Sequence, residues 1–195
     1  MRLVETTRFR RRNLPHWEVK AGRYFVTVRC AGSLPFDVVA RLSAVEYELA
    51  KIQPRSASYL ALQRRYFTTV EQYLDSTNKG VLADAQAANV VASQFQRSEE
   101  IAAEIPHFAI LPNHWHAVVI PHPGIDLAAV MKRIKGRTGC KIRQVIGGRG
   151  PVWQREWFDR WVRNEVEWQR CGAYIRNNPV KAGLVTRWQD HAWTR

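Results

Sequence analysis

The sequence predicts an α+β domain, with an antiparallel sheet of about four strands and helices packed on it, and three features carry that expectation. Residues 24–30 alternate with period two. Two short apolar runs, 107–111 and 114–120, meet at Pro112-Asn113, a pair suited to a tight turn between antiparallel strands. Between and after these segments, apolar residues recur at helical spacing.

In chain order, residues 6–22 read as a basic, irregular arm, with Arg8 and Arg10, Arg11 and Arg12 ahead of Pro15 and Gly22. In the first strand, Tyr24, Val26, Val28 and Cys30 share one side. After Pro35, the residues Val38, Leu42, Val45, Leu49 and Ile52 mark a helix that Pro54 stops. Tyr59, Tyr66, Val70 and Tyr73 mark a second, and residues 84–95 a third. These form a helical block inserted at about residues 36–100 of a single domain spanning 1–195. Asp126 is an N-cap for a helix carrying Leu127, Val130, Met131, Ile134, Thr138 and Ile142, which Gly147, Gly148 and Gly150 end. Residues 152–162 are Trp-rich and contain a fourth strand. Asn164 and Glu167 make a capping box for a last helix, expected to finish near Asn177 because Pro179 disfavours helical geometry at Asn178.

The chain has 195 residues, 30 of them Lys or Arg against 17 Asp or Glu, for a net charge of +13. That excess exceeds the roughly 2 to 8 charges that keep a small domain soluble, and it points to a polyanion, with nucleic acid favoured over membrane. No apolar stretch reaches the roughly 18 residues of a bilayer span, so a cytoplasmic protein is expected. Cys30, Cys140 and Cys171 are odd in number and lack C-x-x-C spacing; they are read as reduced and structural.

Two segments carry chemistry. In His114-Trp115-His116 the histidines sit two apart on a strand and share a face, where a divalent cation with a third ligand could bind them. A wet sheet face explains an isolated His-x-His equally well. On the last helix Trp168, Cys171 and Ile175 form the apolar stripe and Tyr174 lies at its edge, able to present its oxygen to a neighbouring strand or merely to pack its ring.

Taken together, Pro112-Asn113-His114-Trp115-His116 and the later Tyr174-Ile175-Arg176-Asn177-Asn178-Pro179-Val180-Lys181-Ala182-Gly183-Leu184-Val185 resemble the single-tyrosine HUH transposases, more narrowly the REP-associated tyrosine transposases. Residues 12–17, Leu74-Asp75 with Gly80, and residues 152–160 support the resemblance, which covers about residues 10–193. It departs at Leu111, where the family often has Met, and at Trp115, which replaces a smaller apolar residue and should face away from the histidines.

The resemblance implies a ferredoxin-like connectivity, also seen in RNA-recognition domains, and a metal-dependent endonuclease and strand transferase acting on single-stranded DNA at repetitive palindromic hairpins. It implies that His114 and His116 hold Mg²⁺ or Mn²⁺, and that Tyr174 attacks a phosphodiester to leave a 5′-phosphotyrosine and a free 3′-hydroxyl. Asn178, four residues after Tyr174, stands where relatives place a third ligand; it could equally be a helix cap, with Asn177 as the fallback. The implied location is bacterial and nucleoid-associated, and relatives occur as monomers and homodimers. A non-catalytic hairpin-binding protein, of DNA or RNA, is the rival reading.

No acidic residue falls between Asp126 and Glu156, while Lys132, Arg133, Lys135, Arg137, Lys141 and Arg143 do. Arg133, Arg137 and Lys141 recur every four residues and suit a row of phosphate contacts; Lys132, Arg133, Lys135, Arg137, Lys141 and Arg143, with Arg10, Arg11 and Arg12, form the expected DNA-binding set. Trp153, Trp157 and Trp161 are candidate stacking surfaces, at least one of which should be buried.

Overall fold

The structure is a computed structural model that describes residues 6–11, 15–53 and 56–195. Its centre is a four-stranded antiparallel sheet of β3 (Tyr24–Arg29), β4 (Ala103–Leu111), β5 (His114–Pro121) and β6 (Phe158–Trp161), in the order β4-β5-β3-β6. Four helices separate β3 from β4: α1 (Phe36–Lys51), α2 (Ala57–Asp75), α3 (Ala85–Phe95) and α4 (Ser98–Ile101). A fifth, α5 (Leu127–Ile146), joins β5 to β6, and α6 (Glu165–Lys181) follows. With the helices counted as crossovers, the order is the βαββαβ arrangement of ferredoxin-like sheets.

The residues between 6 and 19 depart from the expected irregular arm. They form a two-stranded antiparallel ribbon, β1 (Thr6–Arg11) and β2 (Pro15–Val19). Arg10 and Arg11 therefore lie on β1, and Arg12 is outside the described residues. The ribbon is tied to the sheet by His16, whose Nδ1 is hydrogen-bonded to Asp159 on β6 and whose ring stacks on Trp157 at 4.5 Å. Burial works to lower the His16 pKa, but the Asp159 and Glu156 carboxylates outweigh it and raise the imidazole to about 9. This partnership lies 143 residues apart in sequence, beyond the reach of local patterning.

Period-two alternation sorts the sheet into two faces. One carries Tyr24, Val26, Val28, Trp115, Ala117 and Val119, which pack with Val91 of α3 and Val130 and Ile134 of α5 into the main core. Trp115 is wholly buried here, edge-on to Phe95 at 5.0 Å, so it does face away from the histidines. On the opposite face, Phe25, Ala109, Leu111 and Val118 pack under Cys171 and Ile175 of α6, while α1 and α2 build a third cluster beside them.

The helix caps follow the sequence closely. Asp126 accepts from the amide of Ala129 at 2.7 Å, and Asn164 accepts from Glu167 at 2.9 Å. The Glu167 carboxylate returns to the amide of Arg163 at 3.0 Å, one residue before the cap. The far end of α6 overturns the expected stop near Asn177, because the helix runs through Pro179 to Lys181. Asn178 and Pro179 are both buried against the sheet, and that packing overrides the local bias against helix before proline. Cys30 and Cys171 are buried, whereas Cys140 is exposed, so the expectation of three structural cysteines holds for two.

Candidate active site

The turn between β4 and β5 is clamped before it reaches the histidines. The carbonyl of Pro112 accepts from the amide of Leu82 at 3.0 Å, and a Cβ on Gly80 would come within 2.2 Å of that carbonyl oxygen. Only glycine tolerates such an approach. The buried Asn113 carboxamide donates to the carbonyls of Leu74 and Thr77 at 2.9 and 3.0 Å, which fixes its oxygen toward Nδ1 of His114 at 2.6 Å. His114 must therefore carry its proton on Nδ1, leaving Nε2 bare as a ligand atom. Nδ1 of His116 is likewise engaged, by the Thr27 hydroxyl of β3 at 2.8 Å. Both Nε2 atoms consequently point at one spot, 3.0 Å apart.

A third group enters that spot from α2. Oε2 of Glu71 lies 3.2 Å from Nε2 of His116 and also accepts the phenolic hydrogen of Tyr174. Glu71, His114 and His116 are all buried, and their ligand atoms lie within 4.8 Å of one another, the one such group of His, Cys, Asp and Glu side chains among the described residues. Burial pushes the Glu71 carboxyl up, but the imidazoles, His116 before His114, and the Tyr174 hydroxyl pull it down to about 2. Burial, then the neighbouring His116, lowers His114 to about 3. At neutral pH the cluster thus presents a neutral imidazole and a carboxylate, the protonation states a cation requires.

These groups fit a small divalent ion. Adjacent ligands of an octahedral ion at about 2.1 Å lie about 3 Å apart, and the observed separations of 3.0 and 3.2 Å agree. Two imidazole nitrogens and one carboxylate oxygen gathered out of water make a donor set suited to a divalent cation.

Tyr174 is half-buried, its ring edge-on to His116 at 5.5 Å and to Phe25 at 5.6 Å. Burial, followed by the charge of Glu71, drives its phenol well above the ordinary value of 10. Asn178 lies one helical turn further on, and because α6 continues, it is carried to the same side instead of leaving the helix. Its carboxamide is buried with no hydrogen bond of normal geometry among the described residues, yet it is near enough to the phenol to weaken the upward shift.

Glu71 is absent from the sequence-derived set. The one trace of it is positional: it follows Phe67 by one turn and precedes Leu74, so it is an acid on the inward stripe of an amphipathic helix. The basic residues of α5 divide between two sides. Arg137 is paired with Glu100 of α4 at 2.9 Å. Lys132, Lys135 and Arg143 instead line a groove against Trp153, Arg155 and Trp157, where Lys135 donates to the carbonyls of Gln154 and Arg155 at 2.7 and 2.6 Å. Trp153 and Trp157 are buried and Trp161 is partly so.

Fold and site together define a class: a ferredoxin-like domain that sets two strand histidines and a helix carboxylate against a tyrosine on the last long helix. A family model described as IS200-like transposase matches residues 78–178, over half of the chain, and the chain belongs to that family. Among solved structures it is similar to a REP-associated tyrosine transposase bound to a REP hairpin, with a TM-score of 0.52 and 20% identity over 96% of this chain and 81% of that one. It also matches a candidate transposase from Deinococcus radiodurans, with a TM-score of 0.43 and 11% identity over 80% of this chain and 89% of that one. The first of these likenesses supports the fold. The search of curated proteins gave no match. His114, His116, Tyr174 and Asn178 all fall inside the family segment, whereas Glu71 and Thr27 lie before it. No helix among the described residues is long and apolar enough to cross a membrane.

Proposed function

We propose that the chain, as one domain carrying the helical block at about 36–100 as an insertion, is a metal-dependent single-stranded DNA endonuclease and strand transferase that cuts at repetitive palindromic hairpins through a 5′-phosphotyrosine. The observation that carries this reading is the convergence of the Tyr174 hydroxyl with Glu71, His114 and His116 on one buried spot. Glu71 accepts the phenolic hydrogen bond, and with its carboxyl held at about 2 it orients the Tyr174 oxygen and does not act as its base.

In this reading His114, His116 and Glu71 hold the ion, with the Asn178 carboxamide as a further oxygen donor, and Mg²⁺ or Mn²⁺ is the expected metal. When bound, the ion polarises the scissile phosphate and offsets charge developing on its oxygens. Held in place by its hydrogen bond to Glu71, the Tyr174 oxygen attacks phosphorus and releases its proton to solvent. The bond from phosphorus to the 3′ oxygen breaks, and that oxygen leaves as a hydroxyl after taking a proton. Because the phosphodiester is exchanged for a phosphotyrosine ester, the bond is kept for rejoining, and attack by a 3′-hydroxyl reverses the step.

The net charge of +13 supports a DNA partner, as does the groove between α5 and residues 151–157, where Lys132, Arg143 and Arg155 offer phosphate contacts. Arg133 and Lys141, on the Arg137 side of α5, and Arg10 and Arg11 of β1 are proposed as phosphate contacts apart from that groove. Arg137 is already engaged by Glu100 and contributes less. To test the proposal, a labelled hairpin oligonucleotide with a single-stranded flank is incubated with the protein and Mn²⁺ or Mg²⁺ and run under denaturing conditions. An adduct that disappears in Tyr174→Phe and His116→Ala supports it. Tight binding with no adduct under either metal leaves the non-catalytic binder.

A further inference from the structure

Two cavities border the sheet face that carries the histidines, and they differ in charge. The smaller, about 140 Å³, is lined by Thr27, Arg29 and Tyr66, and also by Glu46 and Glu156, whose carboxylates oppose a phosphodiester strand. The other, about 340 Å³, lies between α2 and α6 and reaches Tyr174 itself. Its walls are Phe67, Phe158 and Phe25, its rim is Arg64, Arg160 and Arg170, and no acidic side chain lines it. All three arginines are exposed, and none forms an ion pair among the described residues; Arg160 reaches only Sγ of Cys171, at 3.4 Å.

An apolar aromatic wall under a rim of unpaired guanidiniums is the combination that recognises single-stranded nucleic acid: bases stack on the rings, and phosphates meet the cations. Phe67 and Phe158 lie 4.7 Å apart and half-buried, so part of each ring remains open to the cavity. The wall is continuous with the nucleophile, because Phe67 also packs against the Tyr174 ring at 6.2 Å and Phe25 packs edge-on to it. A base seated there lies beside the Tyr174 ring.

We propose that the cavity between α2 and α6 is a nucleotide subsite that seats the unpaired nucleotide adjoining the scissile phosphate, its base against Phe67 and Phe158 and its phosphates against Arg64 and Arg170. The inference rests on the cleavage reading above and adds to it the groups that hold the strand in register with Tyr174. Four of the residues involved, Phe25, Arg64, Phe67 and Phe158, come from β3, α2 and β6, so the inserted helices contribute to the substrate path as well as to the core.

The test is metal-free binding of the full chain, by fluorescence anisotropy, to one hairpin with and without a single-stranded flank. For Arg64→Ala/Arg170→Ala, both exposed positions, the dissociation constant for the flanked hairpin rises about tenfold more than that for the flankless one. The salt dependence on flanked DNA weakens by about 1.4, two single-strand phosphates at roughly 0.7 each. Equal losses on both DNAs, or none, overturn the subsite. In a second arm, abasic nucleotides are placed along the flank in turn. Wild type loses affinity at one position, and Phe67→Leu, which keeps the apolar bulk but not the flat ring, abolishes the loss at that position. A penalty that persists in Phe67→Leu overturns the stacking assignment. Neither arm requires cleavage, so a protein that passes both yet forms no adduct refutes the endonuclease reading and leaves the subsite standing.

Discussion

Replacing Glu71 by Gln removes one charge from the centre of the site while keeping the shape of the side chain, and two effects follow from the geometry. The carboxyl is held at about 2 against an ordinary 4.5, so the folded protein favours its ionised form by about 3 kcal/mol. Because this pKa is depressed, the stabilisation is present above pH 4.5 and is lost as pH falls through about 2. Gln cannot ionise, and Glu71→Gln in metal-free buffer at pH 7 is expected to unfold at lower urea, with a loss of about 3 kcal/mol. The second effect is on the ion. Oε2 is 3.2 Å from Nε2 of His116, the spacing of adjacent ligands, so neutralising it is expected to weaken Mn²⁺ binding by at least about tenfold, or about 1.4 kcal/mol. Free Mn²⁺ followed by electron paramagnetic resonance during titration reads the affinity, and urea unfolding reads the stability. If Glu71→Gln binds Mn²⁺ as wild type does, the carboxylate is not a ligand; if its stability is also unchanged, the coupling to His116 and Tyr174 is wrong as well.

Other expectations follow from neighbouring contacts. Asn113→Ala removes the acceptor that fixes His114 on its Nδ1 tautomer and frees two carbonyls; Mn²⁺ affinity is expected to fall about 10- to 100-fold, measured by the same titration. Gly80→Ala places a methyl 2.2 Å from the Pro112 carbonyl, so a loss of about 1 to 3 kcal/mol in urea unfolding is expected, together with weaker metal binding as the turn shifts. Trp115→Ala empties a wholly buried position in the main core and should cost about 3 to 5 kcal/mol by the same measurement. His16 is raised from 6.5 to about 9, so its ion pair stabilises fully below pH 6.5 and fades as pH rises through 9; wild type should lose about 3 kcal/mol across that window, and His16→Gln should show no such slope.

What the sequence revealed and what it concealed divide along the range of the interactions. The strand carrying His114 and His116, the opposite orientation of Trp115, and the caps at Asp126 and Asn164 all depend on residues within a turn or two, where periodicity and capping rules apply. Glu71 eluded the reading because its partners, His116 and Tyr174, lie 45 and 103 positions away, and an acid on a helix stripe looks like a solvated residue until the fold buries it. Pro179 misled for the same reason: the local rule stops the helix, and burial of Asn178 and Pro179 continues it. The row of Arg133, Arg137 and Lys141 was legible as a face, but its partner Glu100 on α4 was not. The N-terminal ribbon was hidden by its charges, and its anchor is a buried contact between His16 and Asp159.

That a phenol, two imidazoles and a carboxylate converge is geometry; that they break DNA is settled by locating the bond they make. Wild-type protein is incubated with a flanked hairpin and Mn²⁺, digested with trypsin and nuclease, and sequenced by mass spectrometry. The account requires a nucleotide phosphate on the Tyr174 oxygen, and no modified peptide from Tyr174→Phe. Phosphate found on another tyrosine, or an adduct that survives Tyr174→Phe, contradicts it.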